Sequence, residues 1–187
     1  KSTDEFKVKN ELGVSCESGE AIPNKEFEVS CNAKKVSLEL VKNGIAKLEY
    51  IGNYYTANVE DGIFGFIVFI QGNTPAGMKK MNVAVEDSKG NYGSLIFGFN
   101  VKAIPTKLEI AVNKGLFNPD EKLEITPALY DHVNDLINTT ISLEFIGPKD
   151  EKLISKDVLS SESISYVFDA YALPGDYKIA GYSKGLT

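Results

Sequence analysis

The two cysteines are the residues whose spacing points most directly to chemistry. Cys16 and Cys31 lie on either side of a turn signal centred on Pro23 and Asn24. If a hairpin turns there, directly opposed residue numbers sum to 47, and the two cysteines face each other. Facing Cα atoms in an antiparallel pair lie ~4.5–5.5 Å apart, which suits a disulfide. We therefore expect a Cys16–Cys31 disulfide and an oxidising compartment; the alternatives are two buried free thiols or, less simply, a redox or metal role.

An acidic loop supplies the candidate metal ligands. Residues 130–135 contain Asp131, Asn134 and Asp135, and the strand order of a sandwich places this loop near the junction of two domains. Calcium takes about six to eight oxygen ligands, so these side chains are a candidate Ca²⁺ site that needs further carbonyls or acids. A solvated acidic turn is the alternative, because the spacing matches no EF-hand loop. His132 is most simply a turn residue.

Two further features bear on ligands at the surface. Tyr54 and Tyr55 follow the Gly52-Asn53 turn, and one of them must point outward because neighbours in a strand face opposite ways. They are a candidate sugar-stacking platform, with ordinary core packing as the alternative. Asn138 opens an Asn-Thr-Thr sequon and is a candidate glycosylation site, with a plain strand-edge asparagine as the alternative.

The composition excludes several function classes. All 20 basic residues are lysine, there is no Trp, one His, and the net charge is -6. A specific nucleic-acid surface is not expected, since it depends on Arg and a positive patch. One His and two Cys leave almost nothing for a catalytic triad, dyad or His-based metal site, so we expect no enzyme, no catalytic residue and no cofactor apart from the candidate calcium.

Hydrophobic periodicity indicates an all-β protein. Apolar residues alternate in short bursts, among them Val36-Leu38-Leu40 and Ile141-Leu143-Phe145, separated by turn signals. The longest apolar stretch, Ile63 to Ile70, is too short to span a membrane and is predicted to be a buried strand. Residues 150–161 are predicted to be a loop or weak edge strand.

An internal repeat divides the chain. Residues 11–30 align without a gap on residues 107–126 at an offset of 96, and apolar positions match in phase. The offset predicts two immunoglobulin-like β-sandwich domains, residues 1–104 and 105–187. In the second domain, Val112 and Pro127 are the positions equivalent to Cys16 and Cys31. We predict seven or eight strands in the first domain, including one at 36–42. The second domain is predicted to lack the last strand of a sandwich.

Short motifs carry a resemblance to known domains. Pro174-Gly175-Asp176-Tyr177 resembles the tyrosine corner of immunoglobulin-like and fibronectin type III-like sandwiches, 117–125 resembles the opening of macroglobulin-like domains, and 85–91 resembles an Asp-x-x-Gly-Asn F–G hairpin. The resemblance is to tandem domains of archaeal or bacterial cell-surface proteins. It implies that the Tyr177 hydroxyl bonds to backbone upstream; the first domain has Met78 at that position.

The resulting prediction is a non-enzymatic, extracellular module, a stalk, spacer or adhesion element of a larger cell-surface protein. Its expected partners are other surface domains or subunits, without nucleic acid and without membrane insertion by this chain. One alternative is a filament or pilus-like subunit assembled by β-strand donation, with Phe6 and Val8 in a donor arm. The other is a carbohydrate-binding accessory module that uses Tyr54 and Tyr55.

Overall fold

The described residues form strands and turns but no helix. The computed structural model describes residues 11–185, and it divides into two compact units with the boundary between Lys102 and Ala103. The prediction of an all-β fold is confirmed. Among the described residues no helix is present that is long and apolar enough to cross a membrane.

The described part of unit 1, from residue 11 onward, has seven strands in two layers. They are β1 (Leu12–Ser18), β2 (Glu26–Lys35), β3 (Asn43–Tyr50), β4 (Asn53–Glu60), β5 (Ile63–Phe69), β6 (Gly77–Asp87) and β7 (Tyr92–Val101). One layer is β1-β2-β5 and the other is β4-β3-β6-β7, with antiparallel neighbours throughout. The two layers join where Glu60 pairs with Ile63 across a tight turn, and isolated bridges also link Glu11 with Tyr92 and Ala21 with Val101. This is the arrangement of an immunoglobulin-like β-sandwich.

Unit 2 repeats the arrangement, with six strands as far as the structure describes it, up to residue 185. They are β8 (Pro105–Val112), β9 (Lys122–Asp131), β10 (Thr140–Ile146), β11 (Lys152–Leu159), β12 (Ile164–Val167) and β13 (Lys178–Tyr182). One layer is β12-β9-β8 and the other is β11-β10-β13. The 150–161 segment, predicted to be a loop or weak edge strand, is the edge strand β11.

Each unit buries its own core between its layers. In β2 the inward residues Phe27, Val29, Cys31 and Ala33 are buried while their neighbours are exposed. Period-two alternation produces this result because successive strand side chains point to opposite faces. In unit 2 aromatic rings pack together in the core: Phe145 and Tyr177 stack with ring centroids 5.6 Å apart, and Phe168 meets both at a steep angle.

The structure extends the internal repeat through the turn after the second strand of each unit. Leu38 and Asn134, which are 96 positions apart, both have a φ of 66°. The N–H of Leu38 donates to the carbonyl of Lys35, and the N–H of Asn134 donates to that of Asp131. The two units therefore share this turn in backbone detail, although the side chains differ.

The prediction of a strand at residues 36–42 is wrong. Residues 36–38 form a turn closed by the bond from Leu38 to Lys35, and Val36 and Leu38 are 76% and 80% exposed. The alternation of apolar residues suggested a strand with one buried face. The chain instead reverses there to cross from one layer to the other, and neither layer reaches these side chains.

The expectation that Ile63 to Ile70 is a buried strand is only half right. Phe64, Phe66, Val68 and Ile70 are buried, but the alternate residues point to solvent. A continuous apolar run is typical of a strand covered on both faces. Here the sandwich covers one face only.

Candidate functional site

The Cys16–Cys31 pair lies where β1 meets β2. The strand register opposes Cys16 to Cys31, their Cα atoms are 4.1 Å apart, and a disulfide joins them. Cys31 is buried in the core, while Cys16 is partly exposed beside it. The bond therefore fastens the first hairpin of unit 1 from within its core.

The expected counterparts of the cysteines in unit 2 do not face each other. Pro127 is opposite Ile110, and Val112 is opposite Ile125. The register between β8 and β9 differs by two residues from the register between β1 and β2. An irregularity in the pairing lies between Pro105 and Lys107. Sequence alignment at a constant offset could not show this shift, because a shift of two leaves the inward and outward faces unchanged.

The carboxylate of Asp131 in the acidic loop accepts hydrogen bonds from the turn that follows it. Its side chain is 3% exposed, and Oδ1 accepts the N–H groups of Val133 and Asp135, both at 2.9 Å. Asn134 and Asp135 are exposed. His132 Nδ1 lies 3.8 Å from Asp131 Oδ2 and accepts the N–H of Ile104 at 3.5 Å. These contacts give Asp131 a structural role, because a buried carboxylate needs hydrogen-bond donors.

The described part of the chain holds no group of three or more His, Cys, Asp or Glu side chains that could bind a metal ion. The calcium site stays a prediction.

Asp87 performs the same task in the F–G hairpin of unit 1. Its Oδ1 accepts the N–H groups of Lys89 and Asn91, and its Oδ2 accepts the side-chain amide of Asn91 at 2.7 Å. Gly90 takes a positive φ of 78° between them. Burial alone would raise the pKa of Asp87, but the hydrogen bonds from Asn91 and Lys89 outweigh it and the pKa is lowered. The Asp-x-x-Gly-Asn motif is thus explained by turn geometry.

Tyr177 forms the corner that the resemblance implies. Its hydroxyl donates to the carbonyl of Leu173 at 2.9 Å, and its ring stacks on Phe145. Burial raises the pKa of the Tyr177 phenol, and the nearby Tyr166 and Glu151 add to the rise. Met78, at the corresponding position of unit 1, is 69% exposed and makes no such corner. This contact therefore stabilises unit 2 specifically.

The structure separates the two tyrosines proposed as a ligand platform. Tyr54 is 74% exposed, with its hydroxyl 3.5 Å from Glu49 Oε1, whereas Tyr55 packs against the core. Only one ring is therefore available for stacking. Asn138 is exposed two residues before β10, where an attached glycan could extend into solvent.

A groove in unit 2 was not anticipated from the sequence. It has a volume of about 550 Å³ and opens between the 112–119 loop, the 172–176 loop and β13. Aromatic side chains of the core line it, namely Phe117, Phe145, Phe168 and Tyr177. Among the described residues β13 pairs only with β10, and Ile179 of β13 lines this groove.

No family model and no curated protein matches the sequence. Similar solved structures include a tetra-tandem repeat from the extending region of a large adhesion protein, at 14% identity and a TM-score of 0.39, covering 92% of this chain and 48% of that one. They also include alpha-2-macroglobulin of Escherichia coli, at 11% identity and a TM-score of 0.38, covering 93% and 12%. Alpha-2-macroglobulin of Salmonella is similar at 12% identity and a TM-score of 0.37, covering 98% and 15%. This chain thus spans about half the length of the first of these proteins and a small part of the others.

Proposed function

We propose that the chain is a non-enzymatic, extracellular stalk, spacer or adhesion module of a larger cell-surface protein. The observation that carries the proposal is the path of the chain through unit 1. Glu11 pairs with Tyr92 and Ala21 pairs with Val101, both in parallel orientation. The chain therefore enters unit 1 at one end and leaves it at the opposite end.

This path suits a spacer because each unit adds length. The ten residues of β7 rise ~3.3 Å each, so the two ends of unit 1 lie roughly 30 Å apart. A second sandwich follows within three residues, since β7 ends at Val101 and β8 begins at Pro105. A disulfide in the first hairpin supports an extracellular setting, because disulfides persist in oxidising compartments.

Small-angle X-ray scattering of the chain at low concentration tests the spacer. A single compact globule of this length has a radius of gyration of about 16 Å. A spacer is expected to give a larger value, of about 21 Å. A value near the smaller figure would contradict a spacer.

Antibodies against residues 11–185 test the location. They are expected to label intact cells of the organism that makes the protein. Labelling that requires lysis would contradict the extracellular assignment.

A second candidate function, assembly by β-strand donation, is favoured by the groove in unit 2. In unit 1 the matching space is filled by β7: Ala21 exchanges backbone hydrogen bonds with Asn100 and Lys102, and Phe99 packs on Phe27 with centroids 5.0 Å apart. At the offset of 96, Ala21 and Phe27 correspond to Phe117 and Leu123, and both of these line the groove. The groove therefore fits an extended segment with alternating apolar residues, as β7 has.

A peptide with the sequence of residues 92–102 tests the groove directly. It is expected to raise the melting temperature of unit 2, whereas the same peptide with Phe97 and Phe99 replaced by Ser is not. The predicted donor residues Phe6 and Val8 lie outside the described residues. If they are the natural donor, deleting residues 1–10 should abolish assembly; a chain that is monomeric before the deletion contradicts donation and leaves the spacer standing.

A further inference from the structure

The loop between β2 and β3 presents apolar side chains to solvent at its tip, which is formed by residues 36–40. Val36, Leu38 and Leu40 in this tip are 76%, 80% and 44% exposed. Single exposed apolar residues are ordinary on protein surfaces, but a cluster of them indicates an interaction site. Three aliphatic side chains at alternate positions of one short loop form such a cluster.

Unit 2 builds the same loop with polar residues. The hydrogen bond that closes the loop in unit 1, from the N–H of Lys35 to the carbonyl of Glu39, is 2.8 Å long and recurs 96 positions later at 2.9 Å. Asn134 there occupies the position of Leu38 and is exposed in the same way. The backbone of the loop therefore does not depend on apolar side chains at the tip.

Leu38 is unfavourable at its position for two reasons. Its φ of 66° lies in the left-handed region, which Gly and Asn adopt more readily than leucine, and Asn134 has this same φ. The side chain of Leu38 is also exposed, so no burial offsets the backbone strain. A residue that breaks local rules without a structural gain indicates a functional site.

Lysine side chains lie beside the tip. Lys42 and Lys89 are exposed and line one surface depression together with Leu40. Lys34 is exposed at the other end of the loop, where it pairs through its backbone with Leu40. Among the described residues, none of these three lysines forms an ion pair. Their ammonium groups are therefore available to anions outside the chain.

Two of the three acids in this depression are held by groups of the chain. Glu39 accepts a hydrogen bond from Lys35 Nζ at 3.0 Å, and the carboxylate of Asp87 accepts the N–H groups of its own turn. Asp61 is the third acid that lines the depression, and it is exposed. The lysines beside the tip thus outnumber the acids that remain to oppose them. The net charge of -6 lies mostly farther away, and salt screens charges beyond ~8 Å.

We propose that the tip docks on the surface of a lipid bilayer that contains anionic lipid. The side chains of Val36, Leu38 and Leu40 enter the boundary between headgroups and acyl chains, and Lys42 and Lys89 pair with the anionic headgroups. The tip is too short to span a bilayer, so the contact is peripheral. The expectation of no membrane insertion considered only apolar stretches long enough to span.

The residue types favour a bilayer over a pocket in another protein. Side chains that dominate protein–protein binding are mostly Trp, Tyr and Arg, whereas Leu and Val are under-represented and Lys is depleted at such interfaces. Residues 34–43 contain no aromatic residue and no Arg. A bilayer requires no matching shape, and its surface takes aliphatic side chains together with lysines.

The contact is small, so a single chain binds weakly and reversibly. Copies held on one surface bind more strongly, because each docked tip raises the effective concentration of the next. The docking uses residues of unit 1 alone. It involves neither residues 1–10 nor the groove of unit 2, and it does not depend on the proposed spacer function.

Co-sedimentation of the chain with vesicles tests the proposal. The chain is expected to bind vesicles of equal parts phosphatidylcholine and phosphatidylglycerol, and to bind more weakly to phosphatidylcholine alone or in high salt. Leu38→Asn, which installs the residue that unit 2 carries, is expected to weaken binding about tenfold or more, since it removes a leucine from the apolar contact. Its melting temperature should not fall, because Asn suits the left-handed φ.

Ile96→Asn is the matched control, because Ile96 is also an exposed apolar residue but lies on β7, outside the loop. It should leave vesicle binding unchanged. Equal losses in the two variants would overturn the proposal. No binding of the native chain to the anionic vesicles would also overturn it, and would leave a protein pocket as the occupant of the tip.

A fluorescent label tests which loop enters the bilayer. Both native cysteines are in the disulfide, so Val36→Cys supplies a single free thiol for an environment-sensitive nitrobenzoxadiazole label. Its emission is expected to shift to the blue on addition of the anionic vesicles and to be quenched by spin-labelled lipid. The same label on Asn134→Cys, in the equivalent loop of unit 2, should show neither change. Equal responses at the two positions, or none at position 36, would refute docking by the tip.

Discussion

Reduction of the Cys16–Cys31 disulfide should destabilise unit 1 and leave unit 2 unchanged. The bond closes a loop with a sequence separation of 15. The chain-entropy relation gives a loss of about 3 kcal/mol in the free energy of unfolding for a loop of this size. For a unit of about 100 residues this corresponds to a fall in melting temperature of roughly 12–20 °C. The reduced unit should still fold, because seven residue pairs hold β1 against β2 without the bond.

Differential scanning calorimetry of the full chain with and without a phosphine reductant measures this effect. Unit 2 contains no cysteine, so its transition serves as an internal reference within each scan. A double Cys16→Ala, Cys31→Ala variant should show the same loss plus a small extra cost for the space left at buried Cys31. A loss below about 1 kcal/mol, or an equal fall in both transitions, would show that the loop argument does not apply.

Four further results are expected. Tyr177→Phe removes the hydroxyl that donates to Leu173, and urea unfolding should show a loss of about 1 kcal/mol in the stability of unit 2. Tyr182→Phe is the control, because Tyr182 is exposed and the loss of its hydroxyl should not change the stability. Because the folded-state pKa of Asp87 is lowered, its ionised carboxylate stabilises unit 1 fully above the ordinary carboxyl pKa of about 4, and this stabilisation is lost as the pH falls through the lowered value. The urea midpoint should therefore fall more between pH 5 and pH 2 for the native chain than for Asp87→Asn. Tyr54→Ala should change the free energy of unfolding by less than about 0.5 kcal/mol, because Tyr54 is exposed. If Tyr54 binds a sugar, the native chain should bind on a glycan array and the variant should not. Melting temperatures in millimolar Ca²⁺ and in EDTA should agree, and a rise with Ca²⁺ would instead support the predicted calcium site.

Local patterns predicted the architecture well. Period-two alternation and turn residues are properties of short segments, and they located most strands as well as the hairpin that opposes Cys16 to Cys31. The same patterns failed at Val36 and Leu38, where alternation occurs in a turn. Alternation reports only that alternate side chains are similar, and it contains no information about whether another layer covers them.

The candidate sites were less predictable for a related reason. Asp131 and Asp87 look like ligands or motif residues in the sequence, but each carboxylate accepts hydrogen bonds from the backbone two and four residues later. The choice between metal ligand and turn cap depends on side-chain direction, and that direction is fixed only when the strands on both sides are in place.

The sequence by itself determined that the protein is all-β, that it repeats one sandwich plan at an offset of 96, and that its two cysteines share a hairpin. These features follow from spacing along the chain. The tertiary structure alone decided that Ile63, Ile67 and Phe69 face solvent beside an open strand edge, and that Val112 lies opposite Ile125. The reason is that layer order and register depend on contacts between distant strands, and a shift of two residues or an uncovered face leaves the local hydrophobic pattern unchanged.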